Sequence, residues 1–240
     1  MSDQAMSASA AVGDAGIESI RVRDVPFDAP WDWLGAGWSD MWSKPHVSLS
    51  YGAAAAGMAM LIMFGLSQLG WESMILVLGG GFLIVAPFIA VGLYDVSRRL
   101  EVGEPVSLAA AIKASFKAEG QLLFMGLILL FIYLVWVRVA LLLFALFLGT
   151  LSFPPPSEFI PTLLFEPHGL GLLVVGTVVG GIFAALVFVI SVVAIPMLLV
   201  QDVSTVVAVT KSIEAVTRNP KPMALWAVLI AGFMVLGIAT

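Results

Sequence analysis

The stretch PMLLVQDVSTVVAVTKSIEAVTRNPKPMALW, Pro196 to Trp226, decides the fold. A hydrophobic run ends near Val200 and gives way to the polar junction Gln201-Asp202-Val203-Ser204. Val206, Val209, Ile213 and Val216 then recur at i, i+3, i+7 and i+10, the spacing of one helical face. Lys211, Glu214 and Arg218 lie off that face, and Glu214 to Arg218 is a favourable i,i+4 pair. Asn219-Pro220 predicts the stop, because a residue before proline is biased away from helical backbone angles. A new apolar run begins at Met223. The pattern is that of a chain leaving a membrane, lying along its surface as a short helix, and returning.

Composition agrees. The 240 residues are 60% hydrophobic and only 11% charged, whereas soluble domains carry about 25% charged residues. Mean hydropathy is +1.06. Such a chain has too little polar surface to cover a soluble globule. The net charge of -5 gives no support to nucleic-acid binding. With no cysteine, disulfides, thiolate metal sites and a cysteine nucleophile are excluded. The first residues lack the basic-then-apolar order of a signal peptide.

Working outward, residues 1–28 read as a polar arm, Ala/Ser-rich, which needs a surface to lie on if it is to be ordered. Residues 29–240 read as a transmembrane helical domain with spans at about 47–70, 74–94, 121–149, 169–200 and 223–240. Trp31 to Lys44 predicts a first surface helix, with Asp28 and Pro30 as start signals. Trp31, Leu34, Trp38, Met41 and Trp42 form its apolar stripe; Asp32, Ser39, Asp40 and Ser43 form its wet face. Tryptophan favours the headgroup level. The polar face is acidic, however, where helices that bind anionic lipid are basic, so the stripe favours protein over lipid. Glu104-Pro105-Val106-Ser107 caps a second surface helix, with Leu108, Ala111, Ile112, Ser115 and Phe116 on one face. The third is the helix of the opening stretch. The expected fold is therefore an all-α polytopic membrane protein in which a surface helix precedes each transmembrane hairpin. That repeat leaves the last unit short of one arm and predicts a sixth span beyond Thr240.

The spans carry their own marks. Gly52, Ala53, Ala56 and Gly57, then Gly176, Gly180, Gly181 and Ala185, make small-xxx-small pairs suited to close helix approach. Gly79-Gly80-Gly81 has no Lys or Ser/Thr after it and reads as a packing notch, not a phosphate loop. Residues 151–167, with Pro154-Pro155-Pro156, Glu158 and Pro161, read as a loop, and Pro196 as a bend. Ten of the eleven Lys and Arg fall on one side when five spans alternate, and the two loops of the other side carry none. By the positive-inside rule the N-terminus and all three surface helices are cytoplasmic.

Gly79 to Glu104, GGGFLIVAPFIAVGLYDVSRRLEVGE, and Ala215 to Trp226, AVTRNPKPMALW, resemble the bacterial inner-membrane family called domain of unknown function 2189. The likeness covers most of the chain after about residue 30. It implies a multi-pass protein of the bacterial inner membrane, six spans and a His-containing cytoplasmic tail after the last. The family's motifs carry no known chemistry.

Candidate sites are few. His46 and His168 fall at opposite interfaces and share no metal; no Ser/His/Asp set or carboxylate pair is supported, and no catalytic residue, cofactor or metal is expected. Arg138 is the exception. It lies inside the third span, where an ionisable group marks a site by default. No predicted span holds an Asp or Glu to pair with it. It either snorkels to lipid phosphate or meets a carboxylate or carbonyls of another chain. Arg138, Trp31, Trp38 and Trp42 are thus the candidate contacts with lipid or partner. The expected role is a non-catalytic accessory subunit or assembly factor of a larger inner-membrane complex, respiratory or otherwise energy-transducing. Its partners would be the lipid bilayer and other membrane subunits. The alternative is a small-solute or lipid transporter, which internal repeats and glycines and prolines in spans favour.

Overall fold

The computed structural model describes residues 20–69, 90–116, 120–149 and 156–239. Among these, all regular structure is helical and no strand occurs. In chain order the helices are α1 (Ala29–Ser43), α2 (Pro45–Gln68), α3 (residues 90–101), α4 (Leu108–Phe116), α5 (Gly120–Leu148), α6 (Pro156–Phe165), α7 (Pro167–Ser191), α8 (Ala194–Val200), α9 (Thr205–Arg218) and α10 (Pro220–Ala239). Among the described residues, four candidate spans are long and apolar enough to cross a bilayer: Pro45–Gln68, Gly120–Leu148, Pro167–Val200 and Pro220–Gly237. The chain is a multi-pass integral membrane protein. The expected span at 74–94 lies mostly outside the described residues, as do Gly79-Gly80-Gly81 and residues 1–19.

The expected surface-helix segments are helical, as α1, α4 and α9, with ends shifted by one or two residues. Ser107 caps α4, accepting from the Ala110 amide at 3.2 Å, and Ala111 is buried. Asp28 makes no side-chain cap bond to α1. The expected loop after the third span is different: residues 156–165 form α6, with Pro161 inside it. Proline suits a helix's first turn, where the amide has no helical partner, so Pro156 starts α6 instead of preventing it.

The described residues divide into two compact units. One takes in 49–69, 90, 125–149 and 156–187. Here α5 and α7 pack side by side. A Cβ on Gly180 would stand 3.2 Å from Trp136, and one on Gly171 would stand 2.7 Å from the Phe147 ring. Trp136 also meets Phe183 with centroids 5.6 Å apart. Gly180 meets an aromatic side chain and not the backbone approach expected of the Gly176–Gly180 pair, and Gly171 adds a contact not anticipated. Gly52, Gly57, Gly176 and Gly181 have nothing within 4 Å of such a Cβ.

The other unit takes in 20–48, 91–116, 120–124 and 188–239. Its centre is α9, which packs on α8 and α10. The fourth span is interrupted at Val192–Val193, one turn before Pro196. Proline has no amide for the carbonyl four residues back and its ring crowds that carbonyl, so the helix opens there. Into the opening goes the Ser212 hydroxyl of α9. It donates to the Val189 carbonyl at 2.7 Å and accepts from the Val193 amide at 3.2 Å. Those two groups would otherwise bond each other as i and i+4. Ser212 is fully buried. Ser212→Ala leaves a half-buried carbonyl and amide without that bridge, a loss of about 1 kcal/mol. Thermal unfolding in detergent micelles should show a lower midpoint than the wild type; an equal midpoint would mean that the helix closes on itself without the hydroxyl.

Candidate functional site

Three polar side chains repeat along α9 at a seven-residue interval: Thr205, Ser212 and, just past its end, Asn219. All are buried, with Ala208 and Ala215 between them. Each fastens a different segment. The Thr205 amide, an N-terminal donor that no helical carbonyl can reach, donates to Gln121 Oε1 at 2.8 Å. Its hydroxyl lies 2.7 Å from the Gln121 carbonyl. Thus the start of α9 is tied to the start of α5. Ser204 caps α9, accepting from the Val207 amide. Ser212 bridges the break before α8.

Asn219 holds the arm. Its Oδ1 accepts from the Val25 amide at 2.8 Å, and its Nδ2 donates to the carbonyls of Arg23 and Ala215, each at 3.1 Å. The side chain thereby treats residues 23 and 25 as a strand neighbour would. Arg218 Nε donates to Asp24 at 2.7 Å. The surface that an ordered arm requires is, for residues 23–25, the junction of α9 and α10.

The expected Glu214–Arg218 pair is not formed. Glu214 instead meets Lys211 at 2.8 Å, and Arg218 turns to Asp24. Lys211, expected off the packed face, is buried. The valine stripe faces away from the seam: Val206 is 65% and Ile213 39% exposed. The protein-facing side of α9 is the one that carries the small, polar seam, with Val207 and Lys211 buried beside it. A seven-residue recurrence of Thr, Ser and Asn was the available signal, and a search for apolar residues passes over it.

The polar stretch after the expected second span forms an ion cluster. Asp95 accepts from Arg98 at 3.1 Å and from Arg99 at 2.6 Å, and Arg99 reaches Glu104 at 3.1 Å. Gly103, at φ +71°, reverses the chain after α3. The Glu104 amide then donates to the Arg99 carbonyl at 2.8 Å, the mark of a Schellman cap. The motif DVSRRLEVGE thus closes a helix end on itself.

The expected contact residues are placed as follows. Trp31, Trp38 and Trp42 are 54%, 63% and 55% exposed. On the opposite side of α1, Ala29 is buried and Trp33 packs edge-on against Trp226 of α10 at 5.6 Å. Asp40, expected on the wet face, is half-buried on that inner side. Arg138 is exposed on α5, about 15 Å before the helix ends. No ion pair reaches it among the described residues. His46 and His168 are both exposed. Among the described residues no group of three metal-ligating side chains comes together.

A family described as "Predicted integral membrane protein (DUF2189)" matches the chain over residues 74–200. That stretch contains the motif Gly79 to Glu104; Ala215 to Trp226 lies beyond it. Comparison with curated proteins and with solved structures gives no match.

The arm's attachment should depend on pH. The Arg218 hydrogen bond, then its charge, holds the Asp24 carboxyl below the ordinary carboxylate range. A carboxyl lowered in the docked state favours docking above its free pKa, and that contribution is lost as pH falls through the lowered value. A fluorophore on a cysteine placed at Arg21 should gain mobility, read as falling anisotropy, when the pH drops below the carboxylate range. Asp24→Asn should show part of that gain already at neutral pH, while the Asn219 bonds to residues 23 and 25 remain.

Proposed function

We propose that the chain, which belongs to the DUF2189 family of predicted integral membrane proteins, serves as a non-catalytic accessory subunit or assembly factor of a larger membrane complex. The observation that carries this reading is α1. Its inner side is occupied by Ala29 and by Trp33 on Trp226, and its three exposed tryptophans stand in one line on the other side. Large rigid aromatics at low entropic cost are the usual anchors of an interface. Asp32 is exposed and α1 contains no Lys or Arg, which favours a protein surface over anionic lipid. Residues 1–28 act as an arm to the helical domain 29–240. The one-sided distribution of Lys and Arg supports a cytoplasmic N-terminus and a place in a bacterial inner membrane.

Arg138 is the second contact in this reading. Its guanidinium keeps its charge, and a helix-centre arginine costs about 2.5–3.5 kcal/mol on insertion scales. Neither α5 nor α7 contains an acid to offset this. A partner subunit's acceptor would do so.

The reading as a small-solute or lipid transporter draws on one observation, the break between α7 and α8, since transporters bind at interrupted helices. Ser212 already occupies both freed backbone groups there.

Native purification tests the proposal. The wild type should co-migrate with a larger complex, and a chain that runs alone would refute the accessory role. Trp38→Ala with Trp42→Ala should insert normally but lose most of the co-migrating fraction. Arg138→Leu should insert as well as wild type or better and give a lower pull-down yield at equal membrane abundance. An unchanged yield for Arg138→Leu would assign that residue to lipid phosphate.

A further inference from the structure

α9 has three sides rather than two. The seam of Thr205, Ser212 and Asn219 faces the protein. At 100° per residue, Val206, Val209, Ile213 and Val216 share one flank within about a quarter-turn, and Glu214 and Arg218 lie on the other, beside the buried Val207 and Lys211. The charged flank carries the arm through Asp24, whose carboxylate is 80% exposed. The valine flank touches less: Val206 is 65% exposed and Ile213 39%. Between the flanks, outermost, stand Thr210 and Thr217. Each donates its hydroxyl at 2.8 Å to a carbonyl of its own helix, Val206 and Ile213 respectively, so neither needs water.

The helix cannot roll to hide its valines, because the seam is hydrogen-bonded at both ends and the middle. Nor can it cross the bilayer: its 14 residues rise about 21 Å against a hydrocarbon core of about 30 Å. It joins two candidate spans, Pro167–Val200 and Pro220–Gly237. Both of its ends therefore stay at one face of the membrane. Val200, at the end of α8, is also 65% exposed.

We infer that α9 lies in the plane of the bilayer with its valine flank in the acyl-chain edge, its charged flank in the aqueous headgroup layer, and its seam on the protein. The occupant of the valine flank is lipid. The inference stands apart from the accessory role, which rests on α1 and Arg138.

The cysteine-free sequence permits a direct test. Val206→Cys, Ile213→Cys and, as the aqueous control, Asp202→Cys each receive a nitroxide label, and the purified chain is placed in lipid nanodiscs. Each variant is first required to match the parent's unfolding midpoint; if Ile213→Cys fails, Val216→Cys replaces it. Power-saturation EPR then compares relaxation by oxygen with relaxation by a water-soluble nickel chelate. Oxygen should outweigh nickel at Val206 and Ile213, and nickel should outweigh oxygen at Asp202. Nickel dominance at the valine flank would place it in water and overturn the inference. Exclusion of both reagents would place it under protein and overturn it equally. Either result would leave co-migration with a larger complex unaffected, so the two proposals fail separately.

Discussion

One hydroxyl group sits where the backbone of the fourth span comes apart. Pro196 denies its turn an amide, and the chain answers one turn earlier by opening at Val192–Val193. Near a bilayer, backbone polar groups have little water to turn to, and an open carbonyl and amide would be costly. Ser212 spans the opening with one short bond given and one longer bond received. Because that serine belongs to α9, the repair fixes where α9 lies. The position of α9 in turn fixes what Thr205 and Asn219 can reach: the first turn of α5 and the backbone of residues 23–25. The kink, α9 and the docked arm are one connected arrangement.

The connecting side chains are small and polar, and that choice has a reason. Ala208 and Ser212 are fully buried, so the seam lets helices approach closely, as small residues do within membranes. Larger apolar residues would hold α9 away from the break and leave nothing to bridge it. The valines are then free to serve the other side. In a soluble protein the more apolar stripe of such a helix turns inward. Here the buried side follows hydrogen-bond need: Thr205, Ser212 and Asn219 each donate to a backbone carbonyl of another segment.

The candidate contacts follow a similar division. α1 spends Ala29 and Trp33 on its own protein and presents Trp31, Trp38 and Trp42 outward. On α5, Trp136 packs toward α7 while Arg138, two residues on, is exposed. Two residues are about 200° of helix, so inward tryptophan dictates outward arginine. The sequence showed these residues as unusual for their surroundings. Which side of the helix each would occupy depended on packing against Trp226 and Phe183, residues distant along the chain.

The sequence by itself determined that the chain is helical and membrane-bound. Hydrophobic run length, proline and asparagine stops, and caps such as Ser107 act over a few residues and need no tertiary partner to be read. The same local logic located α1, α4 and α9, and it read Pro196 as a bend; the structure opens the helix one turn earlier, at Val192–Val193. Tertiary structure decided the pairings. Glu214 could satisfy i,i+4 arithmetic with Arg218, but Asp24, 194 residues away in sequence, competes for that guanidinium, and Glu214 turns to Lys211 instead. Likewise no periodicity distinguishes a serine that faces solvent from one that enters another helix's hydrogen-bond ladder. That distinction exists only once two helices lie against each other, because a hydroxyl's worth depends on whether the carbonyl and amide it meets have lost their own partners.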